Sequence, residues 1–283
     1  LSLGLDQAPR RQTMCRLLAY TGPPLQLDQL IYHHDHSLIV QSYQPREMET
    51  AILNADGVGV GWYHPTQQTE PFVYRNTLPA WNDINLPHLC RYAESGRVLA
   101  YVRSATPGLA VDLHNCQPFT AGPLCFIHNG YIEHFRHTLY RPMREALPDE
   151  IYRTIHGLTD SEHIFAMVRH RLEADGQTLA AALHQVLAEL TIAAAPHGIR
   201  VAANIVISDG QQLVACRYDT TGKAPSLYWL QHQAQFPQAV LLASEPLFDA
   251  AWVRCPENTL ITVDTNRDIH LQTLPFTNTD QAA

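Results

Sequence analysis

Apolar and polar positions alternate in short bursts along most of this 283-residue chain. The pattern starts abruptly at Cys15-Arg16-Leu17-Leu18-Ala19-Tyr20. Gly57-Val58-Gly59-Val60-Gly61-Trp62 alternates small and apolar residues, and Val98–Val102 and Leu124–Ile127 are buried-strand runs. Two helices are predicted in the middle. Thr159-Asp160-Ser161-Glu162 fits a capping box, after which Ile164, Met167, Val168 and Leu172 fall on one face. Leu179, Leu183, Val186, Leu187 and Leu190 then recur at the helical period. Strands resume at Val201–Ser208 and Gln211–Tyr218, joined by the hairpin dipeptide Asp209-Gly210. Further runs are Ser226–Leu230, Ala239–Ser244, Leu260–Val263 and Ile269–Leu274. The order of strands, two helices and strands predicts an α+β layered fold rather than a doubly wound parallel sheet.

Residues 1–13 are a polar leader ahead of Met14. They read as a mis-assigned translation start or a removable leader, weakly structured either way. Residues 14–283 are read as a single domain, which the length allows.

Composition narrows the partners. With 19 Lys+Arg against 27 Asp+Glu, the formal charge is −8, which argues against nucleic acid, because phosphate binding needs a basic surface. Apolar residues at 46% exclude disorder as the dominant state. Runs such as Val98–Val102 and Ala239–Ala243 fall short of the ~20 residues of a membrane helix. The leader has no apolar core of a secretory signal, so the cytoplasm is the expected location. Six cysteines at irregular spacing, with no C-x-x-C, predict neither a disulfide framework nor a zinc site. The five after Cys15 read mostly as small buried hydrophobes. His33, His34 and His36 read as a solvated loop, since strand geometry would split them between two faces. No metal and no cofactor are expected.

Four elements carry candidate chemistry. If translation starts at Met14, methionine removal leaves Cys15 with a thiol and a free amine on one residue. That amine titrates near ~7.7–8.0 and can serve as base for the thiol. Phe126-Ile127-His128-Asn129-Gly130 closes a strand; the Asn129 amide and Gly130 N–H can offer two donors to one oxygen. Taken alone, Asn-Gly is a turn dipeptide. Arg103, after Val102, is placed to fork a carboxylate, or else to reach solvent. Asp160 could accept from an ammonium, or simply complement the helix dipole.

In this order the four elements resemble the class II glutamine amidotransferases, a family of N-terminal nucleophile hydrolases. The family pattern reads here as Cys15, Arg103-Ser104-Ala105-Thr106, His128-Asn129-Gly130 and Thr159-Asp160-Ser161-Glu162, with Ala243-Ser244-Glu245 as a later stretch near the site. The resemblance implies a four-layer αββα sandwich. It also implies Cys15 as nucleophile and base, Asn129 and Gly130 as oxyanion donors, Arg103 on a glutamyl carboxylate and Asp160 on its ammonium, with Thr106 helping to anchor the carboxylate. Val40-Gln41-Ser42-Tyr43 with Pro45-Arg46, Leu53-Asn54-Ala55-Asp56-Gly57 and Val102–Thr106 resemble the amidohydrolase branch of ergothioneine biosynthesis. That branch cleaves γ-glutamyl-hercynylcysteine S-oxide to glutamate and hercynylcysteine S-oxide.

Two positions depart from the family: many members have His at the place of Tyr101 and Trp at that of Ser104. Beyond Glu245 only 283 − 245 = 38 residues remain, too few for a synthase domain, so water or a separate chain is the expected acceptor. The expected partner is a small γ-glutamyl compound, with homodimerisation left open. Rival readings are a γ-glutamyl peptidase of glutathione turnover, a glutaminase subunit of a separate partner, and a non-catalytic binder of γ-glutamyl metabolites. The stretch from Tyr131 to Leu158 reads as a leaving-group lid or an exposed helix and loop. Trp62, Tyr63, Trp81 and Tyr101 are available as an aromatic cage for a trimethylammonium leaving group.

Overall fold

A computed structural model describes residues 15–47, 53–64, 66, 68–105 and 109–275. Residues 1–13, read as a leader, and Thr106 lie outside that set. The elements run β1 (Arg16–Gln26), α1 (Leu27–Ile31), α2 (Leu38–Tyr43), β2 (Val58–Trp62), β3 (Phe72–Asn76), α3 (Leu86–Tyr92) and β4 (Glu94–Val102). They continue with β5 (Phe119–Ala121), β6 (Leu124–Ile132), α4 (Tyr140–Glu145), α5 (Asp149–Tyr152), α6 (Asp160–Asp175) and α7 (Leu179–Ala194). The last third is β7 (Val201–Ser208), β8 (Leu213–Asp219), β9 (Tyr228–Gln233), β10 (Phe236–Ala243), β11 (Val253–Arg254), β12 (Thr259–Val263) and β13 (Ile269–Thr273).

Two antiparallel sheets result, ordered β11-β9-β10-β1-β4-β2-β3 and β13-β12-β8-β7-β6-β5. Strand alternation sorts side chains into layers. On β1, Leu17 and Ala19 face the second sheet, where they meet Ile127, Val206 and Ala215. Leu18 and Tyr20 face the opposite way, into a layer built on α1, α2 and α3. The far face of the second sheet is covered by α6 and α7. The fold is the αββα sandwich.

Both central helices form as their sequences dictate. Thr159 caps α6, its Oγ1 accepting from Glu162 N at 3.3 Å. Only half of the capping box forms, because the Glu162 carboxylate accepts instead from His156 N and Gly157 N, at 2.9 and 2.7 Å. All five apolar positions read for α7 are buried. Each such side chain contributes about 1.5–3 kcal/mol of burial. The stretch Leu179–His197 is long and apolar enough to cross a membrane, but its apolar face packs on the second sheet. Asp209-Gly210 turns β7 into β8, with Gly210 at φ +84°. The five later cysteines are buried and unbridged.

Two readings are corrected. The Asn129-Gly130 pair is not a turn and does not close a strand: β6 continues to Ile132 and pairs with β7 throughout. Nor are the histidines a solvated loop. His33 is exposed, but His34 and His36 are buried, and His36 meets Glu245.

Candidate active site

β1 lies between β10 and β4, with Leu18 opposite Ala243 and Arg16 opposite Val102. That register brings three chain ends together: Cys15 before β1, Arg103 after β4 and Ser244 after β10. Cys15 is buried, and its Sγ accepts from Ser104 N at 3.3 Å. Burial pushes the thiol up. A hydrogen bond to Tyr101, the Ser104 amide and the charges of Arg103 and Arg16 pull it the other way.

Arg103 is 4% exposed. Its backbone N–H donates to Gly57 O at 2.8 Å, and Nη1 donates to Asp56 O at 3.3 Å. Its Nη2 is buried and meets no acceptor among the described residues. An orphaned guanidinium nitrogen costs free energy unless a ligand completes it.

The second sheet supplies the facing wall. Asn129 points between the sheets, where its Nδ2 meets Ser244 Oγ at 3.4 Å. The same Oγ accepts from Leu17 N at 3.0 Å, so Ser244 ties the amide to the strand bearing Cys15. On β6, backbone groups alternate between the β7 side and the free side. His128 N and O are held on the free side by the Gln117 amide, at 2.5 and 3.0 Å. Ile132 N donates on that side to Asp160 Oδ2 at 2.7 Å. Gly130 N–H, between them, faces the same side. A Cβ at Gly130 would collide with the Ala202 carbonyl, so only glycine fits.

Asp160 opens α6, its Oδ1 accepting from Ser161 N at 2.8 Å. The carboxylate keeps further lone pairs for a ligand. His128 backs it. Its Nε2 donates to Ala202 O at 3.3 Å and its Nδ1 accepts from Ser161 Oγ at 2.9 Å. Burial lowers its pKa, so the ring is neutral.

Behind the site, Arg16 and Glu245 form a fully buried ion pair, Nη2 to Oε1 at 2.7 Å. Arg16 Nη1 donates to Cys15 O at 2.8 Å. Glu245 also accepts from His36 Nε2 at 2.6 Å, Arg46 N at 2.8 Å and Glu47 N at 3.0 Å. Burial raises the Glu245 pKa, but His36, Arg16 and the two amides outweigh it and bring it to about 2. Sequence reasoning noted Glu245 but missed Arg16 and His36. The signal available was the polar Arg16 in an otherwise apolar strand.

The aromatic cage does not assemble. Trp62 packs on Phe72, Trp81 on Tyr43, and Tyr63 bonds Pro123 O and Ser208 O. In the Tyr131–Leu158 stretch, Tyr140 and Tyr152 already flank a resident cation, Arg144, at 4.8 and 5.2 Å.

The family model for class II glutamine amidotransferases matches residues 14–278. The chain belongs to that family. Membership makes it an amide-hydrolysing enzyme. A probable glutamine amidotransferase of Saccharomyces cerevisiae, DUG3, is 31% identical over 88% of this chain and 82% of its own. The gamma-glutamyl-hercynylcysteine sulfoxide hydrolase of Mycolicibacterium smegmatis is 30% identical over 93% of this chain and all of its own. A glutamine aminotransferase class-II domain protein from Silicibacter pomeroyi superposes with a TM-score of 0.67 at 27% identity, covering 92% of this chain and 99% of that one. The Bacillus subtilis glutamine phosphoribosylpyrophosphate amidotransferase shares the fold at TM-score 0.64 and 13% identity, over 93% of this chain and 50% of that one.

Proposed function

We propose that the protein is a γ-glutamyl amidohydrolase with Cys15 as nucleophile and γ-glutamyl-hercynylcysteine S-oxide as substrate. The observation that carries the γ-glutamyl part is the buried, half-satisfied guanidinium of Arg103 beside the thiol. A glutamyl α-carboxylate completes it, and Asp160 takes the α-ammonium. This clamp places the δ-carbonyl between Cys15 and the donors Asn129 Nδ2 and Gly130 N–H, making attack effectively intramolecular. The leaving group rests on the hydrolase relative, which matches along its whole length.

The chemistry requires residues 1–14 to be removed, so that Cys15 carries a free α-amine. The amine takes the Sγ proton and sulfur attacks the carbonyl carbon. The oxyanion collapses, breaking the C–N bond, and the protonated amine passes its proton to the leaving nitrogen. Water then cleaves the glutamyl thioester, again with the α-amine as base.

A second reading is glutamine hydrolysis in a complex with a synthase chain, supported by the yeast relative. Glutamate release from γ-glutamyl-hercynylcysteine S-oxide, glutathione and glutamine separates the two. Preference for the first supports the leading reading. Preference for glutamine discards its leaving group and keeps its chemistry. Silence on all three, with Cys15 confirmed as amino terminus, overturns the leading reading and points to a missing partner chain or another γ-glutamyl amide.

A further inference from the structure

Tyr101 sits on the face of β4 that looks toward the second sheet, in one cluster with Cys15, Leu17 and Ile127. Leu17 is its cross-strand partner, so Cys15, two residues earlier, lies diagonal to it. The ring is 3% exposed and lies in the same buried layer as the thiol. The Ser104 amide reaches the same sulfur at 3.3 Å. We propose that Tyr101 O–H and Ser104 N–H form a two-donor cradle for the Cys15 thiolate, which makes Tyr101 a catalytic residue. This rests on Cys15 being the nucleophile.

The physical need is plain. A thiol buried between two sheets resists ionisation, and donors aimed at the charged form offset that. The charged and titratable groups facing this pair are Arg103 after β4, Asp160 on α6 and Cys116 before β5, and the charge of Arg16 acts on the thiol from the opposite face of β1. Tyr101 itself is held well above its usual range, by burial first and by the neighbouring Cys15 next. It therefore keeps its proton and cannot act as the base. It turns its hydrogen to sulfur as the α-amine removes the thiol proton, and turns away as sulfur becomes a thioester. No proton leaves Tyr101 at any step.

The test needs no substrate. The rate of iodoacetamide labelling of Cys15, read by peptide mass mapping, is followed against pH in the whole protein, in Tyr101→Phe and in Tyr101→His. Losing a donor to the thiolate raises the thiol pKa, so the Phe profile moves to higher pH. Labelling near neutrality falls about tenfold, the result of moving the profile up by about 1 in pH. Histidine retains a ring N–H donor and recovers most of that rate. Coincident wild-type and Phe profiles overturn the proposal. So do Phe and His profiles displaced equally, which would mark a packing role. If Phe fails to fold, a His profile within about twofold of wild type supports the cradle, and a tenfold slower one overturns it. A Tyr101-dependent profile without glutamate release sinks the proposed function and leaves the cradle standing.

Discussion

Two buried arginines stand at the same end of the seven-stranded sheet, on opposite faces, and they differ in what they meet. Arg16 is closed off: its guanidinium is spent on Glu245 and the Cys15 carbonyl, and Glu245 is further satisfied by His36 and two amides. Arg103 is left open, with one nitrogen bonded to Asp56 O and another bonded to nothing among the described residues. On the open face lie Cys15, Tyr101 and the Asn129 amide; Asn129 Oδ1 is also unpartnered among the described residues. Closed polarity holds the strand ends in place, and open polarity marks where a ligand belongs.

Removing a donor from the open face has the largest expected effect on turnover. Asn129→Ala should lower kcat for glutamate release by about 10²–10³, with the unfolding midpoint in urea little changed. A loss confined to KM would remove Asn129 from the oxyanion site.

Exchanging the two arginines for methionine sharpens the contrast. Arg16→Met strands Glu245 in the core and should cost about 3–5 kcal/mol in urea unfolding. Arg103→Met removes an unsatisfied group and should cost little stability, while lowering kcat/KM by about 10–100-fold. Equal stability losses would erase the distinction between the faces.

Acid should dissolve the closed face. The folded Glu245 pKa of about 2 lies below its ordinary 4.5, so its contribution is fully present above 4.5 and is lost as pH falls through about 2. Urea midpoints between neutral and acid pH should show that loss, and Glu245→Gln should flatten that part of the profile. A parallel profile in the variant would assign the acid sensitivity elsewhere.

The smallest expected effect lies at α6. Thr159→Ala should cost about 1 kcal/mol through the lost cap. By loosening Asp160 it should also raise KM for the γ-glutamyl substrate more than it lowers kcat.

Much of the open face is legible in sequence, because its residues sit in short motifs at strand ends and a helix start. Period-2 alternation alone puts Cys15 and Arg16 on opposite faces of β1. The closed face is not legible: His36 and Arg16 meet Glu245 across 209 and 229 residues, and no local pattern announces that. Asn129-Gly130 reads as a turn from propensity, but pairing with β7 overrides it and keeps the strand running. Helices α1, α2 and α3 span only 5, 6 and 7 residues, too short for the helical period to show.

The central claim is that Cys15, with a free amine, carries the glutamyl group. Mass mapping of protein quenched in acid during turnover of γ-glutamyl-hercynylcysteine S-oxide tests it most directly. The expected result is a chain beginning at Cys15 with a glutamyl thioester on that residue. An active chain that retains residues 1–14, or a glutamyl group on any other side chain, would contradict it.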